Sequence, residues 1–424
     1  MANIVLSSSE NSSLLQTLNQ SESKVIPSIY SIKEVYAPSA TSWYTITAKT
    51  GSAVNGQSES WDLPKYGILQ QIVFNYTKTI SFTQDANTTA KVPAGDFFNV
   101  IDRVEFLSSS RILFTLYSED IIAQLKDLST DEYSTVSNSL VASTASGAGA
   151  GATSLTVSAS IPIVFPIFTN KNTCPNLSFS EPCQLRVVYR DTLGLQRSVG
   201  GGATDPTNIS SSLSTSVMLR YKMYSESDNA QLLAENYSDE MLNILTERNY
   251  RENPVSYTPT GAETDYKFTI ELKNVDVVQN FYLMVRAPSG LAEGDDQNKL
   301  RKIKRVRMSA SGQELCDLTE NQLSYMKLSE NGWPVNSSYL ASQMQDPISV
   351  NNVSKIQTGL WTWDKNVWTN GFSLREMNNV VIEVFVDFAA GDANKKFTCY
   401  CQELTSCILS QSANTGRNQV SLSN

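Results

Sequence analysis

The chain has 424 residues, with 33 Lys and Arg against 42 Asp and Glu, a net charge of −9 and no histidine. That balance argues against direct or sequence-specific nucleic-acid binding, which needs clustered cations. The missing histidine removes the commonest general base and the commonest metal ligand, so no catalytic residue, cofactor or metal is expected.

Residues 1–27 read as an N-terminal arm, with Leu14, Leu15 and Leu18 at helical spacing. They lack a basic n-region and an apolar h-region, so no secretory signal is expected. No apolar run approaches the roughly 18 residues of a membrane-spanning helix. Across 66–82, Tyr66, Ile68, Ile72, Phe74, Tyr76, Ile80 and Phe82 share one parity, and Gln71, Asn75, Thr77, Thr79 and Ser81 hold the other. This period of two predicts a strand with one wet face. The segment 101–121 runs from a strand pattern into a helix starting near Ser118, with Glu119 and Asp120 at its N-terminus and Ile121, Ile122, Leu125 and Leu128 at helical spacing.

Two Ser/Gly-rich stretches, 137–160 and 198–216, read as long surface loops. The string SGAGAGA in the first lacks the GK[ST] ending of a phosphate loop. Between them Cys183, Leu185, Val187 and Tyr189 alternate with polar residues, and Val217, Leu219, Tyr221 and Met223 do so afterwards. A further helix is predicted from Asp228 to Leu245, through Leu232, Leu233, Met241, Leu242 and Leu245. The boundary between two halves is placed just after it, at residues 247 and 248.

The second half repeats the style. Tyr266, Phe268, Ile270 and Leu272 alternate with Lys267, Thr269, Glu271 and Lys273, and Val380, Ile382, Val384, Val386 and Phe388 follow one parity. Such one-sided alternation fits antiparallel sheets packed face to face. A short helix is predicted from Thr319, with Thr319 and Gln322 forming a capping box. Residues 412–424 read as a C-terminal tail.

The run NKLRKIKRVRM carries Lys299, Arg301, Lys302, Lys304, Arg305 and Arg307. These are candidate contacts to another subunit or to an inner surface, through attraction to lipid phosphates, nucleic acid or an acidic neighbour; the other reading is a strand with a solvated, charged face. Trp333, Trp361, Trp363 and Trp368 are candidate aromatic anchors, buried within the domain or between subunits, and the alternative is a sugar-binding face. Gly294, Asp295 and Asp296 supply only part of a calcium coordination set and read as a polar turn. The six cysteines read as buried free thiols. Cys399, Cys401 and Cys407 lack zinc-site spacing, and a Cys174–Cys183 disulfide remains an alternative.

The most informative feature is an internal duplication. Residues 101–121 realign on 303–323 without a gap, so that Ile101, Arg103, Val104, Ser109, Leu113 and Leu116 meet Ile303, Arg305, Val306, Ser311, Leu315 and Leu318. One β-rich domain made twice is the expectation.

The segments YGILQQIVFNYTKTISF, VIDRVEFLSSSRILFTLYSEDIIAQL, FSEPCQLRVVYRD and VMLRYKMYSES in the first half, with DYKFTIELKNVDVVQNFYLMVRAP, KIKRVRMSASGQELCDLTENQL, NVVIEVFVDF and KFTCYCQELTSCIL in the second, make the chain resemble the double jelly-roll major capsid proteins. That lineage includes adenovirus hexon, tailless lipid-containing bacteriophages and large eukaryotic DNA viruses. The resemblance implies an all-β chain of two tandem eight-stranded jelly-roll sandwiches with short accessory helices, over 28–247 and 248–411. It implies a homotrimer with six upright barrels and a near-hexagonal outline, tiling an icosahedral shell in the virion and made in the host cytoplasm or nucleus. The partners it implies are neighbouring trimers, minor capsid and vertex proteins, and an inner membrane or inner protein layer. The competing expectation is a viral spike or adhesin-type carbohydrate-binding β-sandwich, and an enzyme is not expected.

Overall fold

The computed structural model describes residues 38–53, 56–86, 90–92, 100–127, 145–147, 150–168, 174–190, 196–197, 204–236, 241–273, 277–286, 292–293, 300–323, 353–357, 372–374, 377–412 and 415–422. The first eight long strands are β1 (Ser39–Ile46), β2 (Ser58–Leu63), β3 (Ile68–Gln84), β4 (Ile101–Ser108), β5 (Arg111–Tyr117), β6 (Gly151–Ile163), β7 (Cys183–Tyr189) and β8 (Thr207–Tyr224). They pair in the orders β1-β8-β3-β6 and β2-β7-β4-β5, antiparallel throughout.

The next eight are β9 (Met241–Arg251), β10 (Glu263–Glu271), β11 (Val277–Arg286), β12 (Ile303–Ala310), β13 (Gln313–Thr319), β14 (Val353–Gln357), β15 (Val381–Phe388) and β16 (Phe397–Ser412). They pair as β9-β16-β11-β14 and β10-β15-β12-β13. Counted within each half, both orders are 1-8-3-6 and 2-7-4-5, the arrangement of a jelly roll. The same barrel has been built twice.

Each barrel closes over its own apolar core. In the first, Trp61, Ile72, Phe74, Val104, Phe106, Leu185, Val187 and Leu219 meet between the sheets. In the second, Phe268, Ile270, Phe281, Leu283, Val306, Met308, Ile382 and Val384 do so. The duplicated segment is the hairpin β4-β5 with its helix α1 (Ser118–Asp127), matched by β12-β13 and the helical residues 320–323. Both hairpin turns place a serine at positive φ, Ser109 at 54° and Ser311 at 50°. Both helices start the same way. The Asp120 carboxylate accepts the Tyr117 N–H at 2.7 Å, and the Gln322 amide oxygen accepts the Thr319 N–H at 2.9 Å, which is half of a capping box.

Several expectations need correction. Much of the Ser/Gly-rich stretches is strand rather than loop: β6 covers 151–163 and β8 covers 207–224. The reason is pairing with β3. Leu155, Val157 and Ala159 turn inward, while Thr77 with Ser158, Thr79 with Thr156 and Ser81 with Ser154 join hydroxyls across the outer face at 2.9, 3.1 and 3.3 Å. The helix expected over 228–245 stops early. Helix α2 spans Glu226–Asn236, and from Met241 the chain is strand β9, paired along its length with β16. Residues 247 and 248 therefore lie inside a strand of the second barrel. In the C-terminal segment, β17 (Asn418–Leu422) adds to β16. All six cysteines are free thiols, Cys316 half-buried and the others buried. Residues 1–27 and Gly294, Asp295 and Asp296 lie outside the described residues. Among the described residues no helix is long and apolar enough to cross a membrane.

Candidate functional site

The two barrels share a buried contact. Strands β11 and β16 present one face to their own core and the other to the first barrel: Tyr282, Met284, Tyr400, Cys407 and Leu409, with Ile244 of β9, belong to the first barrel's apolar cluster. The first barrel meets them with β5, α1 and the 3-10 turn Pro166–Phe168. The outer face of one barrel's 1-8-3-6 sheet thus packs on the fifth-strand side of the other.

At the centre of this contact stands Glu119, fully buried at the first turn of α1. Its carboxylate lies 2.6 Å from Arg190 of its own barrel, and 3.3 Å from Arg286 and 3.7 Å from Arg251 of the second. Burial works against its ionisation, but the three guanidinium groups outweigh that cost and hold its carboxyl below the usual carboxylate range. The Arg251 guanidinium lies between the rings of Tyr117 and Tyr400, 4.6 and 4.5 Å from their centroids, so cation–π attraction adds to the pairing. Asp120, next in sequence, accepts from the Asn249 amide of β9 at 3.0 Å. Burial pushes Asp120 up to about 7, against the hydrogen bonds from Tyr117 and Asn249.

Two further ties cross between the halves. Gln196–Arg197 pairs in parallel with Ala292–Glu293. The C-terminal hairpin of β16 and β17 also reaches the first barrel: Asn418 of β17 donates to the Ser108 hydroxyl at 2.9 Å, Gln411 of β16 donates to the Ser180 hydroxyl at 2.8 Å, and the Glu181 N–H donates to the carbonyl of Gly416 in the turn at 2.9 Å.

The basic run lies on and just before β12, where its described cations all meet carboxylates of the same barrel. Arg301 pairs with Asp392 and Lys302 with Glu320. Lys304 sits 2.8 Å from Asp387 and 3.4 Å from Asp265. Arg305 forks onto Asp317, and Arg307 donates to Glu383 at 2.5 Å. Asp317 and Asp387 are held below the usual carboxylate range, first by hydrogen bonds from Arg305 and Lys304 respectively. Lys299 and the candidate anchors Trp333, Trp361, Trp363 and Trp368 lie outside the described residues.

The sequence reading missed the buried cluster. Glu119 and Asp120 look like ordinary helix-start acids, and their partners are far away in the chain. One signal was available: at the duplicated positions the second copy carries neutral Asn321 and Gln322, so the fold does not itself demand acids there. Among the described residues no group of three or more Cys, Asp or Glu is placed to hold a metal ion.

No protein-family model matches the chain, and no curated protein does. Solved structures do. The PBCV-1 virus capsid superposes with a TM-score of 0.62 at 11% identity, covering 94% of this chain and 100% of that one. A chain of the Sputnik virophage structure gives 0.59 at 10% identity, covering 94% and 91%. The mavirus major capsid protein gives 0.53 at 12% identity, covering 94% and 93%. Strand order and superposition agree: this chain has the fold of the double jelly-roll major capsid proteins.

Proposed function

We propose that this chain is the major capsid protein of an icosahedral virus, assembling as a homotrimer whose six barrels form a near-hexagonal building block. The observation that carries the reading is the pair of barrels of identical strand order, locked side by side by a buried contact. Two such units in each of three chains give a closed, nearly six-fold outline, and closed rings settle head-to-tail contacts that would otherwise grow filaments. The similar proteins of PBCV-1 and mavirus are capsid components, which supports a building role over catalysis and a place in the virion.

The division we propose keeps an N-terminal arm and two barrels, with β9 assigned whole to the second barrel because all its pairing is with β16. The face around Arg305 and Arg307 is proposed as a contact to a neighbouring subunit or inner layer. Its internal ion pairs make it close to neutral, which favours a protein neighbour over phosphates. Minor capsid and vertex proteins and an inner membrane are partners of the same proposal. Electron microscopy of the purified protein tests it. Trimers of hexagonal profile, with a light-scattering mass three times that of the chain, are expected; monomers at high concentration overturn it.

A further inference from the structure

Among the described residues, the contact between the barrels has an unfilled counterpart on each barrel. Within the molecule, the outer face of the second barrel's 1-8-3-6 sheet is covered by the fifth strand and following helix of the first. The first barrel carries the same face, on β1, β8 and β3. There Trp43, Arg220 and Gln71 stand in one cross-strand row, and Thr45, Met218 and Val73 in the next. Trp43 is 47% exposed, with the Arg220 guanidinium 5.8 Å from its ring centroid. The second barrel carries the matching fifth-strand side: β13, with Leu315, Cys316 and Leu318 half-buried and Glu314 exposed, followed by Glu320 and Asn321.

We propose that the face centred on Trp43 and Arg220 docks on β13 and the helical residues after it in a second copy of this chain. The occupant follows from three observations. The equivalent face in the same molecule is covered by the equivalent element. The charges are complementary, with Arg220 and Lys222 on one side and the exposed Glu314 on the other, beside Asp317 and Glu320, which already pair with Arg305 and Lys302. An exposed tryptophan backed by an arginine has the composition of an interface centre rather than of plain surface. The contact is head-to-tail, so each copy offers one face and one receiving side, which suits closure into a ring.

The two barrel contacts are not chemically equal. Glu119 and Asp120 of α1 have Asn321 and Gln322 as their counterparts beside β13. The contact between copies therefore lacks the buried acid that meets Arg251 and Arg286 within the chain. It relies on the aromatic group and partly exposed charges, and it is the more salt-sensitive of the two. This rests on the trimer reading and names its surfaces.

The test uses the full chain with Trp43→p-benzoylphenylalanine, irradiated after assembly, with the joined peptides mapped by mass spectrometry. Cross-links between copies into 313–323 are expected. A second variant, Trp43→Glu, is expected to shift the trimer-forming concentration at least ten-fold upward while the monomer's melting temperature stays unchanged, because Trp43 lies outside both cores. Trimers whose cross-links fall elsewhere, or that form equally well with Trp43→Glu, overturn this surface and leave the trimer reading standing. A wild-type chain that stays monomeric removes both.

Discussion

Arg307 donates to Glu383 across β12 and β15 at 2.5 Å, and at the same place in the first barrel Arg186 donates to Glu105 across β7 and β4, also at 2.5 Å. The register puts each pair directly opposite. The fourth strand carries the acid in one barrel and the base in the other, so the ion pair has been kept and its polarity exchanged. What the fold asks for at this position is opposite charge across the strands, in either order.

That relationship makes a direct prediction. Arg307→Glu places two carboxylates face to face and is expected to lower stability by about 1 kcal/mol. Adding Glu383→Arg reproduces the polarity of the first barrel and should recover most of the loss. Urea denaturation of both single variants and the double variant measures the coupling; losses that simply add would disprove it.

Glu119 sits in a different regime because water cannot take over from its partners. Glu119→Gln removes the buried carboxylate that pairs with Arg190, Arg251 and Arg286 in the contact between the barrels. Removing one member of a buried ionic group costs about 3–5 kcal/mol. The expected result is earlier unfolding in denaturant and faster hydrogen exchange along β9, where the two barrels meet. A variant as stable as the wild type would mean that the contact holds without it.

The acid beside it predicts the pH dependence. Asp120 is raised from 3.8 to about 7 in the folded protein, so the folded state keeps a proton that the unfolded chain gives up. Its ionisation therefore weighs against folding fully above about pH 7, and that penalty is relieved as pH falls toward the unfolded value. Glu119 acts oppositely: its folded value is depressed, so its contribution is present above the ordinary carboxylate value and is lost as pH falls through the folded one. Stability is expected to decline from pH 5 to 8, with a slope of at most ten-fold in the unfolding constant per pH unit from this group. Asp120→Asn should flatten that slope. Gln322, a neutral amide making the same backbone contact to Thr319 in the second barrel, indicates that the helix start tolerates the change.

These cases also mark how far the sequence could be read. The hairpin duplication was legible because its apolar positions recur at one fixed offset within one short segment, and Ile101, Val104, Ile303 and Val306 are all fully buried. The strand β9 was not legible. Its register is imposed by β16, about 160 residues later, and spacing alone does not separate a short helix from a strand. Glu119 was hidden for the same reason: its three arginines come from separate elements, and only the docking of the barrels brings them together.

Buried thiols give a labelling prediction. Burial pushes Cys316 up to about 11 and raises Cys399 and Cys401 well beyond their ordinary values. Reaction needs both thiolate and access. Cys316, the half-buried one, should be alkylated first in the native protein. Cys399 and Cys401 should react only on unfolding, as followed by mass spectrometry over time.

The turn that ties the C-terminal hairpin to the first barrel separates two effects of one substitution. Gly416 has φ of 62°, and a Cβ there would lie 2.5 Å from the Phe179 carbonyl oxygen and 3.2 Å from the Glu181 nitrogen. Gly312, in the β12-β13 turn, has φ of 80°, and among the described residues nothing beyond its chain neighbours lies within 4 Å of a Cβ position. Gly312→Ala therefore meets only the left-handed backbone penalty, about 1 kcal/mol. Gly416→Ala meets that penalty and a clash with backbone that cannot step aside, so it must push the hairpin off the first barrel and lose the Glu181 N–H to Gly416 hydrogen bond. Thermal unfolding should rank the two, with Gly416→Ala the more damaging, and the Glu181 amide should lose exchange protection in that variant alone. Equal losses at the two sites would mean that the hairpin moves freely against the first barrel.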